Sequence, residues 1–132
     1  MNENLLRLMA IGAGGAAGAV ARHAVGVGCA ALWGDRFGYG TLLVNVVGCF
    51  ALGVIMHEAW TIEQRNHLHS GLAVGLLGGL TTFSTFGYQT IRHLEEGEPV
   101  MALMNVALNL LLGLAAAASG LAAARALWPT AA

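Results

Sequence analysis

The segment GGLTTFSTF, residues 78–86, decides how this sequence folds, because it places a glycine pair and four hydroxyl side chains inside an apolar stretch. That stretch runs over residues 70–91, so the segment lies near its centre. About 20 apolar residues suffice for an α-helix to cross a bilayer. Isolated hydroxyls can bond to the carbonyl one turn back, but a glycine pair beside four of them is denser than packing requires. The segment predicts a membrane helix interrupted at the bilayer midplane.

The composition extends this prediction to the whole chain. Of the 132 residues, 57% are apolar and 10% are charged, against about a quarter charged in soluble domains. The tryptophans fall at the ends of apolar stretches, where their rings suit the headgroup level. We predict a single all-α membrane domain over residues 1–132. Its four transmembrane helices are expected over residues 5–33, 41–60, 70–91 and 100–128.

Several function classes are excluded by what the sequence lacks. It contains no lysine and carries a net charge of −1, so we expect no nucleic-acid partner. It contains no nucleophile or zinc-protease motif, so we expect no enzyme. No acidic residue lies deep within a predicted span, which argues against proton coupling through a carboxylate. The histidines at 57, 67 and 69 are interpreted as interfacial, with a metal site as the alternative.

The arginines give almost no orientation signal. Arg7, Arg65 and Arg125 fall on one predicted side of the membrane, and Arg36 and Arg92 on the other. Because an excess of Lys and Arg normally sets topology, a difference of one residue predicts insertion in both orientations. Four helices alone cannot enclose a long polar pathway, so transport would require an oligomer, most simply a two-fold dimer. With dual insertion that dimer is an antiparallel homodimer surrounded by membrane lipid.

Small residues recur at four-residue intervals on two of the predicted helices. Gly14 and Gly18 form one such series, and Gly71, Gly75 and Gly79 form another. This spacing lets two helix backbones approach closely. The contact joins either two spans of one subunit or two subunits, and the sequence leaves both arrangements open.

The interrupted helix contains two kinds of candidate functional group, which are free backbone carbonyls and two phenylalanine rings. Non-helical backbone at that depth must be buried by protein or reached by water, and its freed carbonyls suit a small hard cation such as sodium. Phe83 and Phe86 are three residues apart and therefore share a helical face. Packing is the ordinary interpretation of two such rings.

Other polar side chains also fall within predicted spans. Asn45 must either hydrogen-bond to another helix or face a pore. Asn105 and Asn109, followed by Gly113, form one stripe along the fourth helix, for which interhelical bonding and pore lining are both open. Arg22 lies either at the interface by snorkelling or in a water-filled vestibule.

Three segments together resemble a known family. GGAAGAVARH at 14–23, GTLLVNVVGCFALG at 40–53 and GLLGGLTTFSTFGYQT at 75–90 are similar to the Fluc, or CrcB-like, fluoride channels. The resemblance covers three of the four helices in order; the fourth agrees only in character. It implies a dual-topology homodimer with two antiparallel fluoride pores. It also implies a structural sodium ion at the dimer centre, held by the backbone carbonyls of Gly78 and Thr81.

The same resemblance assigns pore residues. Phe83 and Phe86 match the family's pore phenylalanines, whose electropositive ring edges can face an anion without trapping it, so the packing interpretation is reversed. Asn45 matches a pore asparagine. Ser84 and Thr85 match hydroxyls that line the ion's path.

The match is less close elsewhere. Arg22 matches an arginine near a vestibule, but Asn105, Asn109 and Gly113 stand where the family commonly has an aromatic and hydroxyl track. Amide groups could replace that track as pore lining. His23 stands where many relatives have an aromatic residue, and its role is open.

The resemblance implies passive export of fluoride from the cytoplasm, which lowers fluoride toxicity, through a multi-pass protein of a prokaryotic inner membrane. Two other functions are alternatives to it. A small multidrug exporter needs a carboxylate embedded in its first helix, and this chain has none there. A non-transporting scaffold subunit does not require an interrupted helix.

Overall fold

The computed structural model describes residues 2–57 and 67–128, which are almost entirely helical and contain no strand. Four helical spans follow one another, and the third is built from several pieces. The elements are α1 (Glu3–Trp33), α2 (Tyr39–Ile55), α3 (His67–Ser70), a π-helical segment (Gly71–Leu77), α4 (Gly78–Leu80), α5 (Phe83–Glu95) and α6 (Pro99–Leu127).

The bounds differ from the predicted ones mainly in the second and third spans. α2 ends at Ile55, short of the predicted residue 60, and the predicted interfacial Trp60 lies outside the described residues. The third span runs from His67 to Glu95, beyond the predicted 70–91 at both ends. α1 ends at Trp33 because the next residue, Gly34, has a φ of +81°, a conformation that stops a right-handed helix.

Two helices, α1 and α6, are long and apolar enough to cross a membrane by length and composition, and α2 is a shorter apolar helix. Few residues of their apolar stretches are buried inside the subunit. Of the most apolar stretch, 6% is buried in α1 and 17% in α6. The helices therefore present their apolar side chains outward, as lipid-facing helices do.

α1 packs against the π-helical segment and α4 through a seam of glycines. A Cβ on Gly14 would lie 2.2 Å from the carbonyl oxygen of Gly71, and one on Gly18 would lie 2.1 Å from that of Leu76. No side chain fits at such distances, so the backbones meet directly. The predicted small-residue contact is confirmed, and within this structure it joins two spans of one subunit.

α2 and α6 form the second closely packed pair. A Cβ on Gly53 would lie 2.3 Å from the carbonyl oxygen of Ala117, and one on Gly120 would lie 2.1 Å from that of Phe50. Thus α1 with the third span, and α2 with α6, are two helix pairs that each depend on glycine. The interrupted part of the third span lies against α2 as well as α1.

Contacts between the connections show which ends lie together. Arg36, between α1 and α2, forms an ion pair with Glu98, just before α6. The hydrogen bond from Arg36 holds the pKa of the Glu98 carboxyl below its ordinary value, and that same contact raises the pKa of Arg36. At the other end, His57 Nε2 lies 3.0 Å from the carbonyl oxygen of Trp128. The spans therefore alternate in direction, as four consecutive crossings require.

The close contact at the glycines predicts that two alanine substitutions in α1 differ in their effect on the free energy of unfolding. Gly18→Ala should lower the free energy of unfolding by about 1–3 kcal/mol, because its Cβ would collide with a backbone carbonyl that cannot move aside. Gly12→Ala should not, because a Cβ at Gly12 meets no atom within 4 Å. Thermal unfolding in detergent, followed by circular dichroism, measures both; equal Tm values would contradict the seam.

Candidate functional site

The helical run of the third span is interrupted at Thr81 and Thr82. Thr81 has φ −79° and ψ 157°, and Thr82 has φ −152° and ψ 118°, so both are extended between α4 and α5. In an unbroken helix the Thr82 N–H would donate to the carbonyl of Gly78. It donates instead to Asn45 Oδ1, at 2.8 Å. The Gly78 carbonyl is thereby released from the helical ladder.

Asn45 replaces the missing helical partners of Thr82. While its Oδ1 accepts from the Thr82 N–H, its Nδ2 donates to the Thr82 carbonyl at 3.2 Å. These two hydrogen bonds are the same as those that a residue of a neighbouring β-strand would make to the N–H and carbonyl of Thr82. Because an unpaired backbone group in an apolar setting costs free energy, the pairing explains why an amide side chain lies in the apolar helix α2.

A hydroxyl side chain at the interruption caps the N-terminus of the next helix. Thr82 is the N-cap of α5, and its Oγ1 accepts from the Thr85 N–H at 3.2 Å. The same oxygen lies 3.1 Å from Thr85 Oγ1 and 3.3 Å from Ser84 Oγ. Thr82 was not among the predicted site residues. Its signal in the sequence is a hydroxyl residue just before a helical stretch, which is the N-cap pattern.

A cavity of about 320 Å³ brings together half of the predicted pore residues and both residues predicted to hold sodium. The rings of Phe83 and Phe86 meet there with their centroids 5.4 Å apart and their planes tilted by 59°. Phe86 is buried, whereas Phe83 is 80% exposed and borders the open side of the cavity. The other predicted residues in its lining are Asn45, Asn109, Gly78 and Thr81.

A second cavity, of about 520 Å³, borders the interruption and is lined by residues of α1, α2 and α5. It is lined by Arg22, His23 and Thr85, while Thr82 borders both cavities. Arg22 Nη1 donates to the carbonyl of Thr81 at 3.3 Å. The guanidinium therefore points to interior backbone, which favours the vestibule interpretation of Arg22 over snorkelling.

Two predicted residues are not brought to either cavity. Ser84 is exposed on the first turn of α5, and Asn105 is fully buried. Asn105 instead contacts α5, where its Nδ2 donates to Thr90 Oγ1 at 2.9 Å and to the carbonyl of Phe86 at 3.3 Å. Thr90, which the sequence did not single out, is therefore part of the same polar cluster.

Known proteins are similar to this sequence along most of its length. A family model described as CrcB-like protein, Camphor Resistance (CrcB), matches residues 9–121. Proteins named fluoride-specific ion channel FluC from Geobacter sulfurreducens and Geobacter metallireducens are 46% and 45% identical to it, over 89% and 92% of this chain and 96% and 98% of their own. A protein of the same name from Hydrogenovibrio crunogenus is 43% identical, over 84% of this chain and 85% of its own. The chain belongs to the CrcB-like family.

The family match confirms the resemblance and extends it into α6, which had agreed only in character. It also confirms the prediction that the chain is not an enzyme. Together with the outward-facing apolar helices, it identifies the chain as an all-helical membrane protein with bacterial relatives.

The oxygen atoms predicted to hold a cation in this CrcB-like protein are in unequal surroundings. The Gly78 carbonyl has lost its helical donor, whereas the Thr81 carbonyl already accepts from Arg22. A carbonyl oxygen has two lone pairs, so the second remains for another partner. Two carbonyls are too few to bind a cation, so a cation site here would need further ligands.

A different group of possible metal ligands lies at the other end of α5. His93, Glu96 and Glu98 have ligand atoms within 4.8 Å of one another. Each carboxylate already has a cationic partner, since Glu98 pairs with Arg36 and Glu96 lies 3.5 Å from Arg92 Nε. The carboxylates are therefore accounted for by ion pairs, of which the one between Arg36 and Glu98 joins the connection before α2 to the connection before α6.

The pairing of Asn45 with Thr82 predicts a large effect of Asn45→Leu. The substitution keeps the branched shape at Cγ but leaves the Thr82 N–H and carbonyl unpaired, which costs about 1–3 kcal/mol for each group. Val47→Leu, on an exposed position of the same helix, is the control and should unfold like the wild type. Thermal unfolding in detergent compares them. A wild-type Tm for Asn45→Leu would show that the interruption does not need this pairing.

Proposed function

We propose that this CrcB-like protein is a fluoride channel, through which fluoride leaves the cytoplasm passively and its toxicity is lowered. The observation that carries the proposal is the cavity in which the Phe83 and Phe86 rings lie beside the start of α5. The names of the bacterial relatives, fluoride-specific ion channel FluC, supply the ion.

The cavity offers an anion weak and partial positive charge. Ring edges are electropositive. Phe83, in the lining of the cavity, is the first residue of α5 and follows extended backbone, and a helix N-terminus favours anions. The guanidinium of Arg22 borders the other cavity. A channel needs sites that admit an ion and release it, and partial charges meet that need better than a full charge does.

The proposed unit is an antiparallel homodimer in a prokaryotic inner membrane, with each subunit crossing it several times. Phe83, Ser84 and Thr85 are all exposed in one subunit, so the ion's path lacks a wall on that side. A second copy would cover it. The near-equal arginine distribution supports insertion in both orientations, which an antiparallel pair requires.

We further propose that a sodium ion, structural and not transported, joins the two subunits. The carbonyls of Gly78 and Thr81 from both copies would hold it. The released Gly78 carbonyl fits this role, and a helix C-terminus favours a cation. The bound ion would fix the two interruptions relative to each other.

The phenylalanines can be tested with purified protein in liposomes and a fluoride electrode. Phe83→Ile and Phe86→Ile should each lower fluoride efflux by roughly tenfold or more, equivalent to ~1.4 kcal/mol of barrier, because an aliphatic group has no electropositive edge. Phe50→Ile is the control, since Phe50 lies on α2 away from the cavity and is 44% exposed.

Two results would refute the proposed channel, and a third would refute only the role of the rings. Efflux from wild-type vesicles no faster than from protein-free vesicles, or equal chloride flux, would refute a fluoride channel. Undiminished efflux in both phenylalanine variants would refute the role of the rings while leaving the channel intact.

Sodium can be removed without changing the protein. Replacing all sodium by N-methylglucamine should abolish efflux and lower the Tm of the detergent-solubilised dimer, and sodium should restore both. Thr81→Val keeps the backbone carbonyl and should retain the sodium requirement, which separates backbone from side-chain ligation. Unchanged efflux in rigorously sodium-free solution would remove the ion from the proposal.

A further inference from the structure

A directional chain of hydrogen bonds runs from the interruption to the far side of the phenylalanine turn. Asn45 Nδ2 donates to Asn109 Oδ1 at 3.0 Å, and Asn109 Nδ2 donates to Asn105 Oδ1 at 3.1 Å. Asn105 Nδ2 then donates to Thr90 Oγ1 at 2.9 Å, and the Thr90 hydroxyl donates to the carbonyl of Phe86 at 2.9 Å. We call these four side chains the amide relay.

The relay uses every N–H of its three amides. Besides the bonds along the chain, Asn45 Nδ2 donates to the Thr82 carbonyl and Asn109 Nδ2 to the Asn105 carbonyl, while Asn105 Nδ2 also reaches the Phe86 carbonyl. An amide nitrogen has two N–H groups, so none is left for an anion. An anion that took one would leave a buried protein acceptor unpaired, at a cost.

The amide relay instead hydrogen-bonds to the backbone at both ends of the first turn of α5. Asn45 holds the backbone of Thr82, immediately before Phe83. Thr90 and Asn105 both donate to the carbonyl of Phe86, at the end of that turn. Asn109 connects these two sets of hydrogen bonds, because it bonds to both Asn45 and Asn105. The backbone that carries both rings is thus held by side chains from α2, α5 and α6.

We propose that Thr90 is a positioning residue for the Phe83 and Phe86 rings, acting through the Phe86 carbonyl, with Asn105 and Asn109 connecting it to the interruption. On this assignment the α6 asparagines hold the ion-facing turn in place and bind no fluoride. The functional consequence rests on the proposed fluoride channel. Thr90 lines neither cavity, so an effect of its substitution on conduction must pass through another residue.

Two substitutions of Thr90 differ in the hydroxyl alone. Thr90→Val keeps the shape but removes the acceptor for Asn105 and the donor to Phe86. Thr90→Ser keeps both. In liposomes, Thr90→Val should lower fluoride efflux roughly three- to tenfold, the effect of a lost hydrogen bond on the geometry of the turn. Thr90→Ser should conduct like the wild type.

A second measurement reports ring position without relying on conduction. The chain contains four phenylalanines, so protein labelled with 4-fluorophenylalanine should give four ¹⁹F resonances, assignable by single Phe→Leu substitutions. In Thr90→Val the Phe86 resonance should shift or broaden, while those of Phe37 and Phe50 stay unchanged. Thr90→Ser should reproduce the wild-type spectrum. Efflux is measured on unlabelled protein.

The outcomes separate this inference from the proposed function. A wild-type Phe86 resonance in Thr90→Val, or wild-type efflux despite a shifted resonance, overturns the positioning role. If the wild type itself conducts no fluoride, the channel proposal fails, and the Phe86 resonance alone decides whether Thr90 holds the turn. A shifted resonance together with reduced efflux, both restored in Thr90→Ser, supports it.

Discussion

The reciprocal hydrogen bonds between Asn45 and Thr82 are the constraint on which the site depends. A helix interrupted among apolar neighbours must find new partners for the groups that leave its ladder. Asn45 supplies both partners of one residue from a single side chain. Because Thr82 is thereby fixed in an extended conformation, the chain can end one helix and start another within two residues. The released carbonyl of Gly78 and the new N-terminus of α5 both follow from this pairing.

The pairing also needs space, which α2 provides one turn later. Gly48 is three residues after Asn45 and therefore lies on the same face. A Cβ on Gly48 would lie 2.2 Å from Thr81 Cγ2, so the absence of a side chain at Gly48 leaves room for the side chain of Thr81. The amide and the glycine act together: one binds the extended backbone and the other lets it come close enough to be bound.

The sequence predicted the elements of this arrangement better than their connections. Composition predicted four apolar helices, and the four-residue glycine spacing predicted close helix contacts without predicting which helices meet. The stripe of Asn105 and Asn109 left interhelical bonding and pore lining open, because periodicity gives a shared face but not the partner on it. The structure supplies partners on α5 and α2. The π-helical segment was not predicted, because its glycines suit an α-helix contact equally well.

Committing the amide donors to the protein has a consequence for conduction. A free amide pair beside the rings would bind a fluoride ion more strongly than ring edges do, and strong binding slows release. Because the amide N–H groups are used by the amide relay, the cavity offers an anion the ring edges of Phe83 and Phe86 beside the start of α5. The side chains that hold the turn in place therefore also keep the ion's surroundings weakly polar. Rigidity and weak binding arise from the same hydrogen bonds, so substitutions that free an amide should slow the release of the ion as well as loosen the turn.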